Sequence, residues 1–250
     1  MEAYMGIVTN DREVSGIIID DNNKVIVRER IVFKKNIFRT VRELVSILLD
    51  KIDDRGDVVS KVGVTGDYRK IVGNWLGASV CNEIMAMAKG SEIFGDVSVV
   101  FDSDGNDIKR VCVDGGSVRD YEIRDLMFNS DILSEFRNFS DKRECDGKVL
   151  VTGDIVNDER VISEIKCLYG EDMVDIDSDN IMRAIGIALI GRNSDKDCYI
   201  SKELLNKRLE VKENSCCECG MGCEGVYVFR GDKIINSWGN ECKKGESLSI

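Results

Sequence analysis

The sequence predicts an α/β protein of two lobes with a small cysteine-rich appendage. Three observations carry this reading. A run of strand patterns followed by alternating helix and strand patterns occurs twice; 250 residues with 43% hydrophobic content suffice for a large core; and five of the ten cysteines crowd into residues 216–242.

The opening stretches "YMGIVTN", "VSGIIIDD" and "KVIVRERIVF" alternate with period two around the turn-like "NDRE" and "DNNK", which predicts three consecutive antiparallel strands. In "RTVRELVSILLDKI" apolar side chains recur at Val41, Leu44, Val45, Leu48 and Leu49, the spacing of one buried helix face. "KVGVTG" is a short strand ending in glycine, and "YRKIVGNWLGASVCNEIMAMAKG" is expected to include a packed helix that ends at Gly90. The order then returns. "DVSVVFDSDG", "DIKRVCVDGG" and "VRDYEIRD" are strands separated by Asp-Gly and Gly-Gly turns. "DILSEFRNF" predicts a helix, "GKVLVTG" a buried strand, "ERVISEIKCLYG" a helix, "DMVDID" a strand and "NIMRAIGIALIGR" a closing helix. Two such units place the default ligand site in the cleft between them. Residues 1–192 form this body, 193–214 a charged and partly helical connection, and 215–250 the cysteine-rich domain.

Composition removes several function classes. A formal net charge of −11 gives no global electrostatic reason to seek nucleic acid or an anionic membrane. No apolar run approaches the roughly 20 residues of a membrane span, and "MEAYMGIVTNDREVSG" carries acidic residues early, so a cytoplasmic location is expected. His, Pro and Gln are all missing, where about a dozen prolines would be ordinary. Without imidazole there is no catalytic triad, no His-zinc hydrolase and no histidine proton shuttle.

Five stretches of the body, in order, resemble motifs of the superfamily of actin, sugar kinases and heat-shock chaperone ATPases. Within it, the nearest resemblance is to the ATPases that activate 2-hydroxyacyl-CoA dehydratases and benzoyl-CoA reductases. "VTGDYRK" is similar to that family's Thr-Gly-x-x-Arg stretch and "NEIMAMAKG" to its Glu-Ile-x-x-x-Ala-x-Gly helix. "VVFDSDGNDIKRVCVDGG" resembles its second phosphate loop, Asp-x-Gly-Gly-x-Asp followed by Lys or a similar residue. "VLVTGDIVND" resembles the adenosine loop ending in Thr-Gly-Gly, and "RAIGIALIG" the closing Ala-x-Gly-Ala-Ala-Leu helix. The resemblance covers most of residues 4–192. It implies a two-lobed actin-like ATPase (ribonuclease H-like) fold, with magnesium at Asp102 and Asp107, the phosphate loop at Gly105 and the adenine of ATP at the Gly153 turn.

The departures fall on the phosphate loops. The family opens with Asp-x-Gly-Ser-Thr, whose Asp organises the magnesium-bound water and whose small residues admit phosphates to the backbone. Here "GIVTNDRE" sets Val8 in the place of that Asp and the charged pair Asp11 and Arg12 in the turn. Asp104 replaces a glycine of the second loop, and Asp154 the second glycine of the adenosine loop. The family's iron-sulfur cysteine aligns near "LMFNSDI", which has none, and the interval from Phe139 to Lys148 is too short for the usual helical insertion. Phosphoryl transfer depends on positioning and charge that such loops supply, so the body reads as a degenerate ATPase, more an accessory protein than an enzyme. Other readings stand beside this one. Asp102, Asp104 and Asp107 also suit a solvated Asp-Gly turn. Glu83 suits a surface or capping charge unless the cleft encloses it. Cys81, Cys112, Cys145, Cys167 and Cys198 are scattered, as small buried apolar residues are.

The tail has a tighter pattern. Cys216, Cys219 and Cys223 give Cys-x2-Cys-x3-Cys, and 18 residues separate Cys223 from Cys242. The glycines of "CGMGC" permit turns that bring thiolates together. "GVYVFRGDKIINSW" reads as a β-hairpin around Arg230-Gly231-Asp232-Lys233 that returns Cys242 to the first three, leaving Cys217 outside. Four thiolates suit zinc or an iron-sulfur cluster, and a cytoplasmic chain argues against disulfides. The stretch resembles the [4Fe-4S] segment of molybdopterin oxidoreductases. It is more similar still to a small four-cysteine domain found beside anaerobic oxidoreductases, which ends much as "GNECKKG" does. That resemblance favours [4Fe-4S] over zinc and implies an oxidoreductase, or one of its subunits, as protein partner. Three readings follow: an accessory or activation protein with a metal centre, an active ATPase that drives electron transfer, and a zinc-stapled assembly subunit.

Overall fold

A computed structural model describes residues 2–34, 36–53, 56–104, 107–126, 131–140, 147–170, 173–175, 181–195, 200, 205, 209–216 and 223–238. The first lobe opens with β1 (Glu2–Thr9), β2 (Glu13–Asp20) and β3 (Val25–Val32), followed by α1 (Ile37–Asp53) and β4 (Val58–Gly66). β1 and β2 are buried almost throughout, which is why their apolar runs are continuous, whereas β3 alternates at the sheet edge. The five predicted residues of α1 are all buried, joined by Ile37, Thr40 and Ile52.

The stretch expected to hold one helix ending at Gly90 holds two: α2 (Arg69–Leu76) and α3 (Glu83–Ser91), with the short strand β5 (Ser79–Val80) between. Gly77 ends α2 in the left-handed conformation at φ 70°, and Asn82 starts α3 by accepting the Met85 N–H. The first sheet runs β3-β2-β1-β4-β5, with β1 antiparallel to β2 and parallel to β4.

The second lobe repeats this plan with β6 (Val97–Ser103), β7 (Asp107–Asp114), β8 (Ser117–Asp125), α4 (Ile132–Ser140), β9 (Lys148–Gly153), α5 (Glu159–Tyr169) and β10 (Met173–Asp175). Its sheet order, β10-β9-β6-β7-β8, is the first sheet's order with the meander and crossover in the same places. The closing helix α6 (Ile181–Arg192) lies between the sheets. α6 follows the second lobe in sequence yet packs on β1, β2 and β4, while α3 follows the first lobe and packs on β6, β7 and β8. The two helices therefore cross between the lobes. A Cβ on Gly186 would lie 1.7 Å from the Ala86 carbonyl oxygen, and one on Gly90 2.1 Å from that of Met182, so only glycine lets these backbones touch.

The tail forms a third sheet of β11 (Leu209–Cys216), β12 (Cys223–Arg230) and β13 (Lys233–Trp238), all antiparallel. The expected hairpin is β12 and β13, turning at Gly231 and Asp232. The end of the expected connection, from Leu209, is strand and supplies β11. Val228 and Ile235 join Trp75, Leu76, Leu205 and the first lobe's other apolar residues in one core, and the Arg230 guanidinium donates to the Trp75 carbonyl. The tail sheet is thus packed on α2. Among the scattered cysteines Cys81 and Cys112 are half-buried, but Cys167 is exposed on α5, contrary to the expected burial. Cys145 and Cys198 lie outside the described residues. Among the described residues no helix is long and apolar enough to cross a membrane.

Candidate functional site

The central strands of both lobes end at the cleft, and their registers identify equivalent positions. Val8 lies opposite Thr65 and Thr9 opposite Gly66; in the second lobe Asp102 lies opposite Thr152 and Ser103 opposite Gly153. Gly66 (φ 95°) and Gly153 (φ 76°) turn the chain off its strand where a Cβ would fall 2.0 Å and 2.1 Å from the carbonyl oxygens of Thr9 and Ser103. Both turns are thus the same device. The residues around them are not.

In the first lobe the strand end closes on itself. Thr9 Oγ1 donates to the Thr65 carbonyl at 3.0 Å and accepts the Tyr68 N–H at 3.1 Å, and the Asp67 N–H reaches the Thr9 carbonyl at 2.8 Å. Val8 is 1% exposed and joins the apolar cluster of Tyr4, Ile17, Ala184 and Ala188. The turn beyond is an Asx turn, with Asn10 Oδ1 accepting from the N–H groups of Arg12 (2.9 Å) and Glu13 (2.7 Å).

The second lobe ends in charge. Asp102, on β6, is 1% exposed and its Oδ2 accepts from Arg183 Nη2 on α6. Arg183, itself 0% exposed, also reaches Glu83 Oε1 at 3.1 Å, on the first turn of α3, and Asp104 at 3.9 Å. The crossing of α3 and α6 is what brings Glu83 to this site, so the cleft does enclose it. Lys109, on β7 and 4% exposed, sets its Nζ 2.5 Å from Asp107, 3.2 Å from Asp104, 3.7 Å from Glu83 and 3.9 Å from Asp102. Two buried cations thus stand among four carboxylates.

Burial pushes the Asp102 carboxyl up to about 6 against the pull of Arg183 and Lys109. Asp107 is raised chiefly by burial, and Asp67 by burial and then by the nearby charges of Glu83 and Asp11. For Lys109, burial and Arg183 press downward, but Asp102, Asp104 and Glu83 together raise it above its ordinary value. Lys109 is a fixed cation at neutral pH. A cavity of about 140 Å³ beside it is lined by Asn10, Asp11, Asp67, Glu83, Asp104 and Asp107. A larger one of about 260 Å³ extends from Asn10 and Asp104 past Arg12, Arg30 and Ser103 to Gly153 and Asp154. Arg12 crosses between the lobes there, its Nη1 donating to the Asp104 carbonyl at 3.0 Å and lying 3.6 Å from Asp154.

Of the residues expected to bind nucleotide, the structure brings together Asp102, Asp107 and Gly153 at one end of the second sheet; Gly105 lies outside the described residues. Asp102 and Asp107 are engaged by Arg183 and Lys109. Among the described residues no three His, Cys, Asp or Glu side chains converge in a way that could hold a metal ion. The carboxylates lining the smaller cavity disfavour phosphate oxygens there. One local observation points the other way: Asp102 Oδ1 and Thr152 Oγ1 are buried without a hydrogen-bond partner among the described residues. Sequence reasoning touched Lys109 only as the lysine that follows the second phosphate motif, without a role, and missed Arg183. The only signal for Arg183 was an arginine in an otherwise apolar helix, which could have faced solvent.

In the tail, Cys216 and Cys223 lie directly opposite each other across β11 and β12. Cys217, Cys219 and Cys242 lie outside the described residues.

No protein-family model matches the chain, and no curated protein matches it. Solved structures do. Component A of the (R)-2-hydroxyglutaryl-CoA dehydratase of Acidaminococcus fermentans is similar with a TM-score of 0.64 at 14% identity, over 76% of this chain and 98% of that one. The activator of the 2-hydroxyisocaproyl-CoA dehydratase from Clostridium difficile, with bound ADPNP, gives 0.56 at 15% identity over 76% and 94%. A ROK family glucokinase from Streptomyces griseus, in complex with glucose and AMPPNP, gives 0.51 at 11% over 77% and 100%. The chain has the fold shared by actin-like ATPases and sugar kinases.

Proposed function

We propose that this chain is an accessory protein of the activator type, serving an anaerobic redox enzyme, with a body that has given up phosphoryl transfer and a tail that carries a metal centre. The observation behind it is the buried pair Lys109 and Arg183 among Glu83, Asp102, Asp104 and Asp107. Side-chain cations stand there among the carboxylates that a metal would need. Opposite them, Val8 offers no carboxylate at all. Two neighbours supply the functional class, since one is named as a component of a dehydratase and the other as the activator of one.

Residues 1–192 are the body in this reading and 215–250 the metal-binding unit, reached through 193–214. Cys216, Cys219, Cys223 and Cys242 would hold a [4Fe-4S] cluster, with zinc as the other occupant. The opposition of Cys216 and Cys223 suits two ligands of one centre. A cluster would supply one-electron chemistry; zinc would make the tail purely structural. The packing of the tail sheet on α2 would hold such a centre at a fixed place on the first lobe.

The unpartnered Asp102 Oδ1 and Thr152 Oγ1 favour a second reading, in which the cleft still takes magnesium ATP. Calorimetric titration of anaerobically purified protein separates the two. The first reading expects no heat of binding at millimolar ATP and magnesium, and a broad absorbance near roughly 400 nm from the tail. Saturable nucleotide binding would overturn the loss of the nucleotide site. A colourless protein with one zinc would leave the body's reading intact and remove the redox role.

A further inference from the structure

β8 is the outermost strand of the second sheet, and among the described residues it pairs only with β7. Its free edge carries Tyr121, 56% exposed, and Ile123, 44% exposed. A long free edge with apolar side chains is a template for another strand. The sequence of this one is complementary to itself. Laid antiparallel on a second copy with Glu122 opposite Glu122, its regular stretch sets Tyr121 against Ile123 and Asp120 against Arg124. Asp120 and Arg124 then meet opposite charges, and each pairing occurs twice by symmetry. Moving the centre by one residue costs the apolar match. Centred on Tyr121, Asp120 would face Glu122; centred on Ile123, Glu122 would still face Arg124, but Tyr121 would face Asp125.

Geometry agrees with this register. A two-fold axis relating two antiparallel edge strands stands perpendicular to the sheet, so each face of the sheet continues into the same face of the copy. Tyr121 and Ile123 lie opposite Val111 and Lys109 on β7 and so share one face, where four apolar side chains would meet across the axis. Asp120, Glu122 and Arg124 share the other. The like charges at the centre are already tempered, because Glu122 Oε1 accepts from Arg124 Nε at 3.0 Å and Nη2 at 2.7 Å within each chain. The β7–β8 register breaks between Cys112 and Val113, which leaves Asp120–Asp125 as the regular part of the edge.

We propose that β8 pairs antiparallel, centred on Glu122, with β8 of a second copy of this chain, joining the two second-lobe sheets into one. Sedimentation equilibrium of the full chain across micromolar loading concentrations, combined with hydrogen exchange of the peptide covering residues 118–125, tests it. The expected result is a reversible dimer in which the amides of β8 gain protection as concentration rises. Ile123→Lys and Tyr121→Lys, checked for unchanged circular dichroism and melting, each weaken association roughly tenfold or more. A chain that stays monomeric would overturn the proposal. So would a dimer indifferent to both lysine variants, or one whose β8 amides exchange as fast as in the monomer. Dissociation by Cys219→Ser alone would move the contact to the tail and overturn it too.

Discussion

The two lobes share a strand order and differ at the place where their strands meet the cleft. Val8 and Asp102 hold the same register position, as do Gly66 and Gly153. The glycines are kept in both because the backbone leaves its strand there at positive φ with a carbonyl about 2 Å from any Cβ. The side chain before them is under no such constraint. In the first lobe it is apolar and adds to the core under α6; in the second it is a buried carboxylate that needs Arg183. The contrast separates what the fold requires from what a charged site requires, and each requirement can be broken alone.

The largest effect is expected at Arg183. Replacing it with Leu leaves Asp102 buried beside Lys109 alone and should cost about 3–5 kcal/mol, read from urea denaturation. The matching truncation in the first lobe, Val8→Ala, removes only apolar contact and should cost about 2 kcal/mol. A sharper form changes both partners. Asp102→Val with Arg183→Leu gives the second lobe an apolar strand end like the first, and should recover part of the loss seen in Arg183→Leu. If the double variant is less stable than that single one, the charge pair is not what distinguishes the lobes.

Next in size is a pH effect confined to the second lobe. Asp102 sits at about 6 in the folded chain against 3.8 for the free group. Between those values the native state holds the more protons, so this residue makes stability fall as pH rises from about 4 to about 6, and the loss is complete above that. Asp102→Asn removes the dependence. The stability difference between wild type and variant should therefore change across that window, by at most about 1.4 kcal/mol per pH unit, and stay level above it. Val8 has no counterpart effect. A difference that is flat from pH 4 to 6 would show that Asp102 titrates at its ordinary value.

Most of the fold was legible because hydrophobic period and turn chemistry are local. The buried face of α1 follows from Val41, Leu44, Val45, Leu48 and Leu49, and the equal plan of the lobes from the repeated order of patterns. Where two signals competed, the weaker one was lost. Gly77 and Asn82 divide the stretch before Gly90 into two helices, but small residues on both sides of them also suit a continuous packed helix. β11 was unreadable because Leu209–Cys216 sets only Leu209 and Val211 among charged and polar residues before its final cysteine, and among the described residues it pairs only with β12. The candidate site was half legible. Asp102, Asp107 and Gly153 stood in the stretches read as the nucleotide site, whereas Glu83 and Arg183, from two helix motifs, reach them only through the crossing of α3 and α6, a contact between residues 100 positions apart.

The smallest effect tests whether the lobes are tied across the cleft. Arg12, from the first lobe's turn, donates to the Asp104 carbonyl and lies beside Asp154, both on the second lobe. Its side chain is 52% exposed, and exposed ion pairs contribute little, so Arg12→Ala should lower stability by no more than about 1 kcal/mol. Its effect on shape should be the larger one. Without this bridge the two turns lose a contact at the mouth of the larger cavity, while Arg183 and Glu83 still join the lobes at depth. Hydrogen exchange should therefore quicken in residues 10–13 and 103–104 of Arg12→Ala and stay unchanged along α3 and α6. Equal exchange at both turns would mean that Arg12 decorates the cleft without holding it. Quickening along the helices would mean that the deep contact depends on the shallow one.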